Sequence, residues 1–290
     1  RDQGRPALAL VPESTEEGQA AVRSRSRAGG PFTGRGAGTG LAGGALAPAG
    51  GALILLTRMN RILELDLKSR LARIQAGVVN LRVSKEAFPS GLHYAPDPSS
   101  QQASTVGGNI STNAGGPHTL KSGVTVNHVR ALTLVLPDGE AARLGSWAEE
   151  APGLDLTGYL CGSEGTLGLV TEAVVKLCPV PAAVRTFLAV YETIGQATES
   201  VSGIIAAGLL PAAMEMMDSK ILAALNLAFG MNFPLDAGAI LLVEVDGTPA
   251  SVDDEASRVE AILKANGPRS VRAAADGAEP PCPFGLEIGD

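Results

Sequence analysis

Aromatic side chains make up only 3% of this chain and charged ones only 18%. A core must therefore be assembled from Ala, Val, Leu and Ile, and a 45% hydrophobic share is enough to build one. Basic residues are outnumbered: 23 Lys and Arg face 30 Asp and Glu, a formal net charge of -7. That balance argues against nucleic acid as a partner. Cysteine is scarce as well. Cys161, Cys178 and Cys282 are too few and too scattered for a disulfide framework or a metal site, so the reducing cytosol is the default compartment. No stretch joins a basic start, an apolar middle and a small-residue cleavage site, so no signal peptide is read. A long uncharged run, 36–57, holds too much glycine to make a membrane helix.

Glycine is what the chain has in abundance, 36 residues in 290. It gathers in three distant segments. The first is Pro31-Phe32-Thr33-Gly34-Arg35-Gly36-Ala37-Gly38-Thr39-Gly40-Leu41-Ala42-Gly43-Gly44. The second is Ser104-Thr105-Val106-Gly107-Gly108-Asn109-Ile110-Ser111-Thr112-Asn113-Ala114-Gly115-Gly116, and the third is Gly162-Ser163-Glu164-Gly165-Thr166-Leu167-Gly168-Leu169-Val170-Thr171-Glu172. Glycine permits positive φ and lets a ligand approach the main chain with no Cβ in the way. Successive N–H groups then form a concave donor surface for a pyrophosphate. Residues 36–40 offer such a surface, and Thr39 adds a hydroxyl. Arg35 either supplies charge to it or points to solvent. No Gly-Lys-Ser/Thr follows, so this is not a P-loop. Residues 41–51 bring more glycine and a proline instead of a helix, so it is not a dinucleotide fingerprint either.

Periodicity gives a coarse map. An apolar strand over 7–11 precedes a helix that Ser14 caps, with Glu16 and Glu17 at its positive end, running to about Ala28. Short strands follow at 53–56, 62–66 and 71–77, then a helix over 79–88. The proline-rich 93–98 run is extended. Strands at 129–136 and 169–177 close this part, and Pro179-Val180-Pro181 marks the boundary. Beyond it, strands at 186–191, 214–218 and 239–245 alternate with helices at 194–207, 219–228 and 252–265, an α+β layer. The division is a domain over 1–180 and a second, partial one over 181–290.

The three segments together resemble the FAD-binding domain of the vanillyl-alcohol oxidase, or PCMH, type. Tyr94-Ala95-Pro96-Asp97-Pro98-Ser99-Ser100-Gln101 and Thr112-Asn113-Ala114-Gly115-Gly116-Pro117-His118 narrow the likeness. They are similar to D-2-hydroxyacid (D-lactate) dehydrogenases and to FAD-linked glycolate oxidase subunits. The resemblance implies an α+β fold: a two-subdomain FAD-binding domain, then the start of an antiparallel sheet with helices on one side. It implies FAD as cofactor. Gly36, Ala37, Gly38, Thr39, Gly40, Leu41 and Ala42 would form the pyrophosphate loop. Ser104 and Thr105, with Thr112, Asn113, Ala114 and Gly115, would line the flavin and its diphosphate. Glu164, Gly165, Thr166, Leu167, Gly168, Leu169 and Val170 would cover the adenosine and ribityl side, Val170 through its backbone. The implied activity is dehydrogenation of a small 2-hydroxy acid, glycolate or D-lactate, to the 2-keto acid. Electrons would pass to a quinone or a partner subunit of a glycolate oxidase complex. The implied location is cytoplasmic, with a peripheral place at the inner membrane face through a partner.

The chain also departs from the pattern. Relatives carry a His-x-Gly-Asp-Gly-Asn-x-His motif downstream, whereas this sequence holds only His93, His118 and His128. They carry a Trp-x-x-Arg segment near where Pro280-Pro281-Cys282-Pro283 stands, whereas the one tryptophan here is Trp147. Ser122 stands where the family has tyrosine. No catalytic residue and no metal ligand is assigned, and the alternative function is a chain that holds FAD without turnover. His118 falls beside the flavin on this reading, as a neutral side chain in a polar loop. Cys161 is packed, Met214, Met216 and Met217 fill core, and Glu64 with Asp66 lies exposed. A second domain cut short would leave the apolar run Ile240-Leu241-Leu242-Val243 uncovered. The expectation is a chain truncated at both ends. Reading the coding DNA past codon 290 checks it, and the lack of a His-x-Gly-Asp motif in every frame there would sink it.

Overall fold

A computed structural model describes residues 4–147 and 153–274. The stretch 277–290, with Cys282 and the proline cluster around it, lies outside the described residues. The chain divides into two compact units. One takes residues up to Gly116 and from Gly123 to Val180; the other takes Pro117–Ser122 and everything from Pro181 on.

The first unit opens with β1 (Leu8–Leu10), α1 (Thr15–Arg27), β2 (Phe32–Arg35) and β3 (Ala52–Leu55). The three strands form a parallel sheet in the order β1-β3-β2. Ser14 caps α1, accepting from the Glu17 N–H at 3.2 Å, and the Glu17 carboxylate reaches back to the Glu13 N–H at 2.8 Å. Glu16 and Glu17 at one end and Arg25 and Arg27 at the other suit the helix dipole. Then follow β4 (Ile62–Asp66), β5 (Leu71–Gln75), α2 (Asn80–Ala87), β6 (Leu92–His93) and α3 (Val106–Thr112). The chain crosses to the second unit through α4 (Thr119–Ser122) and returns for β7 (Val129–Val135), β8 (Ala141–Gly145), α5 (Leu156–Leu160), β9 (Leu169–Lys176) and β10 (Cys178–Pro179).

Five of these strands make an antiparallel sheet in the order β4-β5-β9-β7-β8. Strand β9 lies in the middle and is buried along nearly its whole length, which explains its run of valines and alanine. Ile54, Ile74, Ile110, Leu132 and Val175 meet in one aliphatic core, so the shortage of aromatics is no handicap. Tyr94 is the large exception. It is 2% exposed and meets the buried His128 ring edge-on at 6.2 Å between centroids. Burial, then the neighbouring Cys161, raises its hydroxyl above the ordinary tyrosine range.

The second unit is one antiparallel sheet, β12-β13-β11-β14, built from β11 (Ala183–Tyr191), β12 (Ala213–Asp218), β13 (Ala239–Gly247) and β14 (Ser270–Ala273). Its helices are α6 (Ile194–Ala206), α7 (Ser219–Phe229) and α8 (Pro249–Ala265). Strand residues alternate between faces. Phe187, Ala189, Leu241 and Val243 pack with Ala197, Ile204, Val252 and Val259 from α6 and α8. Val190, Met217 and Ile240 face the other way and meet Leu222 of α7. The expectation of helices on one side is therefore corrected: α7 takes the opposite face. The same fact removes the expected exposed run, since Ile240, Leu241, Leu242 and Val243 are all at most 3% exposed. Strand β13 sits inside the sheet with cover on both faces. Met217 is core on the α7 face and Met214 packs partly against the core on the other face, but Met216 is 47% exposed and fills nothing. Among the described residues, no helix is long and apolar enough to cross a membrane.

Cys161 is buried, and burial, then the charge of Asp155, pushes its thiol up to about 11. At pH 8 roughly a thousandth of it is then thiolate. Iodoacetamide at pH 8 should modify the half-buried Cys178 well before Cys161, which should react only after denaturation. Peptide mapping of the alkylated protein measures the order.

Candidate cofactor site

All three glycine segments belong to the first unit, and the fold brings them together around α3. The second segment is α3 itself with its flanks. Thr105 caps it, accepting from the Gly108 N–H at 3.3 Å, and Asn113 ends it in the left-handed region at φ 47°. The helix is tied to the body of the unit at both ends. Val106 and Gly107 donate to Val78 and Ala76 at 2.9 and 2.8 Å, and Gly162 and Glu164 donate to Ile110 and Ser111 at 2.9 and 2.7 Å. The third segment is thus bound by backbone to the second.

The first segment leaves β2 and passes Thr105 so closely that a Cβ on Gly36 would lie 2.1 Å from the Thr105 hydroxyl. Gly38 turns the loop at φ 75°. Gly44 lies beside Glu164, whose carboxylate would be 3.9 Å from a Cβ there. Glu164 itself takes φ 53°, a left-handed conformation at the corner of the third segment. Among the described residues, no backbone hydrogen bond closes on the N–H groups of 36–42. That loop is a run of open donors, with Leu41 fully exposed beside them.

Individual residues fall into distinct settings. Gly36, Ala37, Gly38, Thr39, Gly40, Leu41 and Ala42 form the open loop, and Gly165 and Thr166 continue the third segment near it. Ser104 and Thr105 are 2% and 3% exposed at the start of α3. The Ser104 hydroxyl is buried with no hydrogen-bond partner in the protein. Asn113 turns inward, its amide oxygen accepting from the Val126 N–H at 2.9 Å, and Ala114 accepts from Thr125. Thr112 spends its hydroxyl on the Gly108 carbonyl at 3.1 Å. Leu169 and Val170 are 7% and 4% exposed and belong to the core, and Leu167 packs against it. Those three have only main chain to offer a ligand. Gly115 closes the segment and Gly168 leads into β9.

Two residues that sequence reasoning passed over hold this arrangement. Asn80, fully buried, donates to the Pro96 carbonyl at 2.8 Å, and its amide oxygen accepts from Asn109 at 2.9 Å. One amide pair thereby joins α2, α3 and the proline-rich 94–98 run. The only signal in sequence was polarity inside otherwise apolar helical spacing. In the second unit, His118 pairs through Nε2 with Glu244 Oε1 at 2.8 Å, and Lys121 pairs with Asp246. The polar surroundings expected of His118 thus include a buried carboxylate.

A buried hydroxyl with no partner costs stability unless something else satisfies it. With the glycine cradle and its open donors, Ser104 makes the cluster fit a phosphate-bearing cofactor held mainly by main chain. The redox chemistry would be the cofactor's, and the protein would orient it.

Comparison with known proteins agrees with this geometry. A model of FAD binding domains matches residues 6–145, and one of the C-terminal domain of FAD linked oxidases matches 180–281. The glycolate oxidase subunit GlcD of Escherichia coli K12 is 43% identical over 275 residues, covering 95% of this chain and 55% of that protein. GlcD of Bacillus subtilis 168 is 41% identical over 273 residues, 94% of this chain and 58% of that one. A D-lactate dehydrogenase of Anaerostipes hadrus is 38% identical over 250 residues, 84% and 52%. The chain thus spans about half the length of these relatives. A solved alkyldihydroxyacetonephosphate synthase shares the fold, with TM-score 0.77 and 24% identity over 92% of this chain and 53% of that one.

Ser104 gives a direct test. Ser104→Ala removes a hydroxyl that the free protein leaves unsatisfied, so the apoprotein should keep or gain stability. FAD affinity should fall by about 0.5–1.5 kcal/mol if the hydroxyl bonds the cofactor. Thermal melts of the apoprotein and quenching of flavin fluorescence measure the two effects separately.

Proposed function

Because the chain belongs to the FAD-linked oxidases, with their FAD binding domain followed by their C-terminal domain, we propose that it oxidises a small 2-hydroxy acid to the 2-keto acid. Glycolate and D-lactate are the substrates this reading names. The observation that carries it is the gathering of three distant glycine segments around α3, in a chain 41% and 43% identical to glycolate oxidase subunits. In the proposal, residues 36–42 hold the diphosphate by their N–H groups. Ser104, Thr105 and 112–115 line the flavin side, and 164–170 present main chain to the rest. When bound, FAD accepts the hydride that the hydroxy acid loses. The chain's own part is to bind and orient, and to receive the hydroxyl proton.

The electrons would go on to an acceptor other than a nicotinamide, either a quinone or a partner subunit. The relatives named as subunits support that reading. We place the protein in the cytoplasm, at the inner membrane face when a partner holds it there. The second reading is a chain that holds FAD without turnover.

One spectrum separates the two. The purified chain, reconstituted with FAD, should show oxidised flavin absorption that bleaches when D-lactate or glycolate is added without oxygen. A bound flavin that stays oxidised selects the second reading. Failure to bind FAD at all overturns both.

A further inference from the structure

The core of the first unit lies on one face of its five-stranded sheet. Leu132, Leu134, Ala173 and Val175 point inward there and pack with Ile110 of α3. By alternation Ala131, Thr133, Glu172 and Val174 point the other way. The strand pairings set these outward residues in rows. Arg143 of β8, Thr133 of β7 and Glu172 of β9 stand side by side. The next row is Gly145, Ala131 and Val174, with Arg73 of β5 at its end. Gly145 and Ala131 are short while the groups on either side are long and polar, so a depression of about 270 Å³ forms over them.

The lining of this depression is net positive, in a chain whose net charge is -7. Glu172 and Arg73 cancel each other: one oxygen of the carboxylate accepts from Nε and Nη2 of the guanidinium at 3.2 and 2.8 Å. Arg143 is exposed and makes no hydrogen bond or ion pair among the described residues. Its guanidinium is the uncancelled charge. Trp147, two residues past Gly145, lines the same depression and is 40% exposed. A large ring left partly in water beside an uncommitted guanidinium gains little from packing. It suits a ligand that carries both a ring and a negative charge.

We propose that this depression binds a small aromatic carboxylate, with Arg143 taking the carboxylate and Trp147 the ring. The planar fork of a guanidinium fits the two oxygens of a carboxylate, and Thr133, the cross-strand neighbour of Arg143, adds a hydroxyl. The ring of the ligand packs beside Trp147, over Ala131 and Gly145. The volume falls just under the range usual for drug-sized ligands, which suits one ring and one carboxylate. The site is on the face of the sheet turned away from α3, so it is separate from the candidate cofactor site and does not rest on the function proposed above. The two are joined through β9, because Glu172 on the wall of the depression is also the last residue of the third glycine segment.

Trp147 is the only tryptophan of the chain, so tryptophan emission reports on this depression alone. Benzoate added to the full chain should change that emission saturably. Benzyl alcohol, which keeps the ring, and acetate, which keeps the charge, should each need at least tenfold more for the same change. Arg143→Ala, at an exposed position, should leave the fold intact and raise the benzoate concentration for half saturation at least tenfold, with Arg143→Lys recovering part of the loss. Ala131→Leu keeps every charge and fills the floor, so it should abolish the change, with a thermal melt to show that the variant is folded. Emission that benzoate does not move overturns the site. Half saturation that Arg143→Ala does not raise overturns the carboxylate assignment, and acetate that acts as well as benzoate overturns the place given to the ring.

Discussion

Seven residues, the helix α3, hold the candidate cofactor site together. So short a helix has no stability of its own in water. It persists because backbone hydrogen bonds fasten both ends: to residues 76–78 at its start and to 162–164 at its finish. The amide pair of Asn80 and Asn109 pins its middle. The first glycine loop then passes over its cap, where a Cβ on Gly36 would strike Thr105. Releasing α3 would separate the three segments. The cofactor reading, and the reaction built on it, depend on that clamp.

The clamp is made almost entirely of main chain, and this suits a large phosphate-bearing ligand. Main-chain donors have fixed positions once the backbone is packed, and they carry no side-chain entropy to lose on binding. The cost is borne by the residues that hold the loops in unusual shapes. Asn113 and Glu164 both adopt left-handed backbone at the corners of the site. Ser104 keeps a hydroxyl out of water with no partner inside the protein. Such local costs persist in a folded protein when the surroundings over-determine them, and they collect at binding sites.

The second unit solves a different problem. Its sheet is covered by α6 and α8 on one face and in part by α7 on the other, so β13 runs through a dry interior. A glutamate in that strand needs a polar partner, and the chain delivers one from a segment far away in sequence, Pro117–Ser122. The two acids Glu244 and Asp246 lie two residues apart on one face of β13, and they meet His118 and Lys121 from that one segment. The pairing ties a piece of chain that begins directly after the second glycine segment to a sheet formed much later in sequence.

Much of this was legible in the residues. The cap at Ser14, the buried runs of β9 and β13, and the strand-helix alternation after Pro181 all follow from local rules of capping and periodicity. The wording of the glycine segments was specific enough to give the family and its cofactor. Other features were not legible. Strand β2 was hidden because glycine and arginine make a poor strand pattern, and a parallel neighbour decides it. Ile240-Leu241-Leu242-Val243 looked like surface left open, because which helix covers the second face of a sheet is no local property. Leu169 and Val170 carry the same motif as Glu164, yet only their depth in the core shows that main chain is all they can offer. The amides of Asn80 and Asn109, distant in sequence, became a pair only when two helices packed together. Sequence alone determined the elements, the family and the cofactor class, because these depend on local propensity and on motifs read in order. Tertiary structure decided which donors stay open, which polar groups are buried and which charges pair, because each of those is set by neighbours that the order of residues does not name.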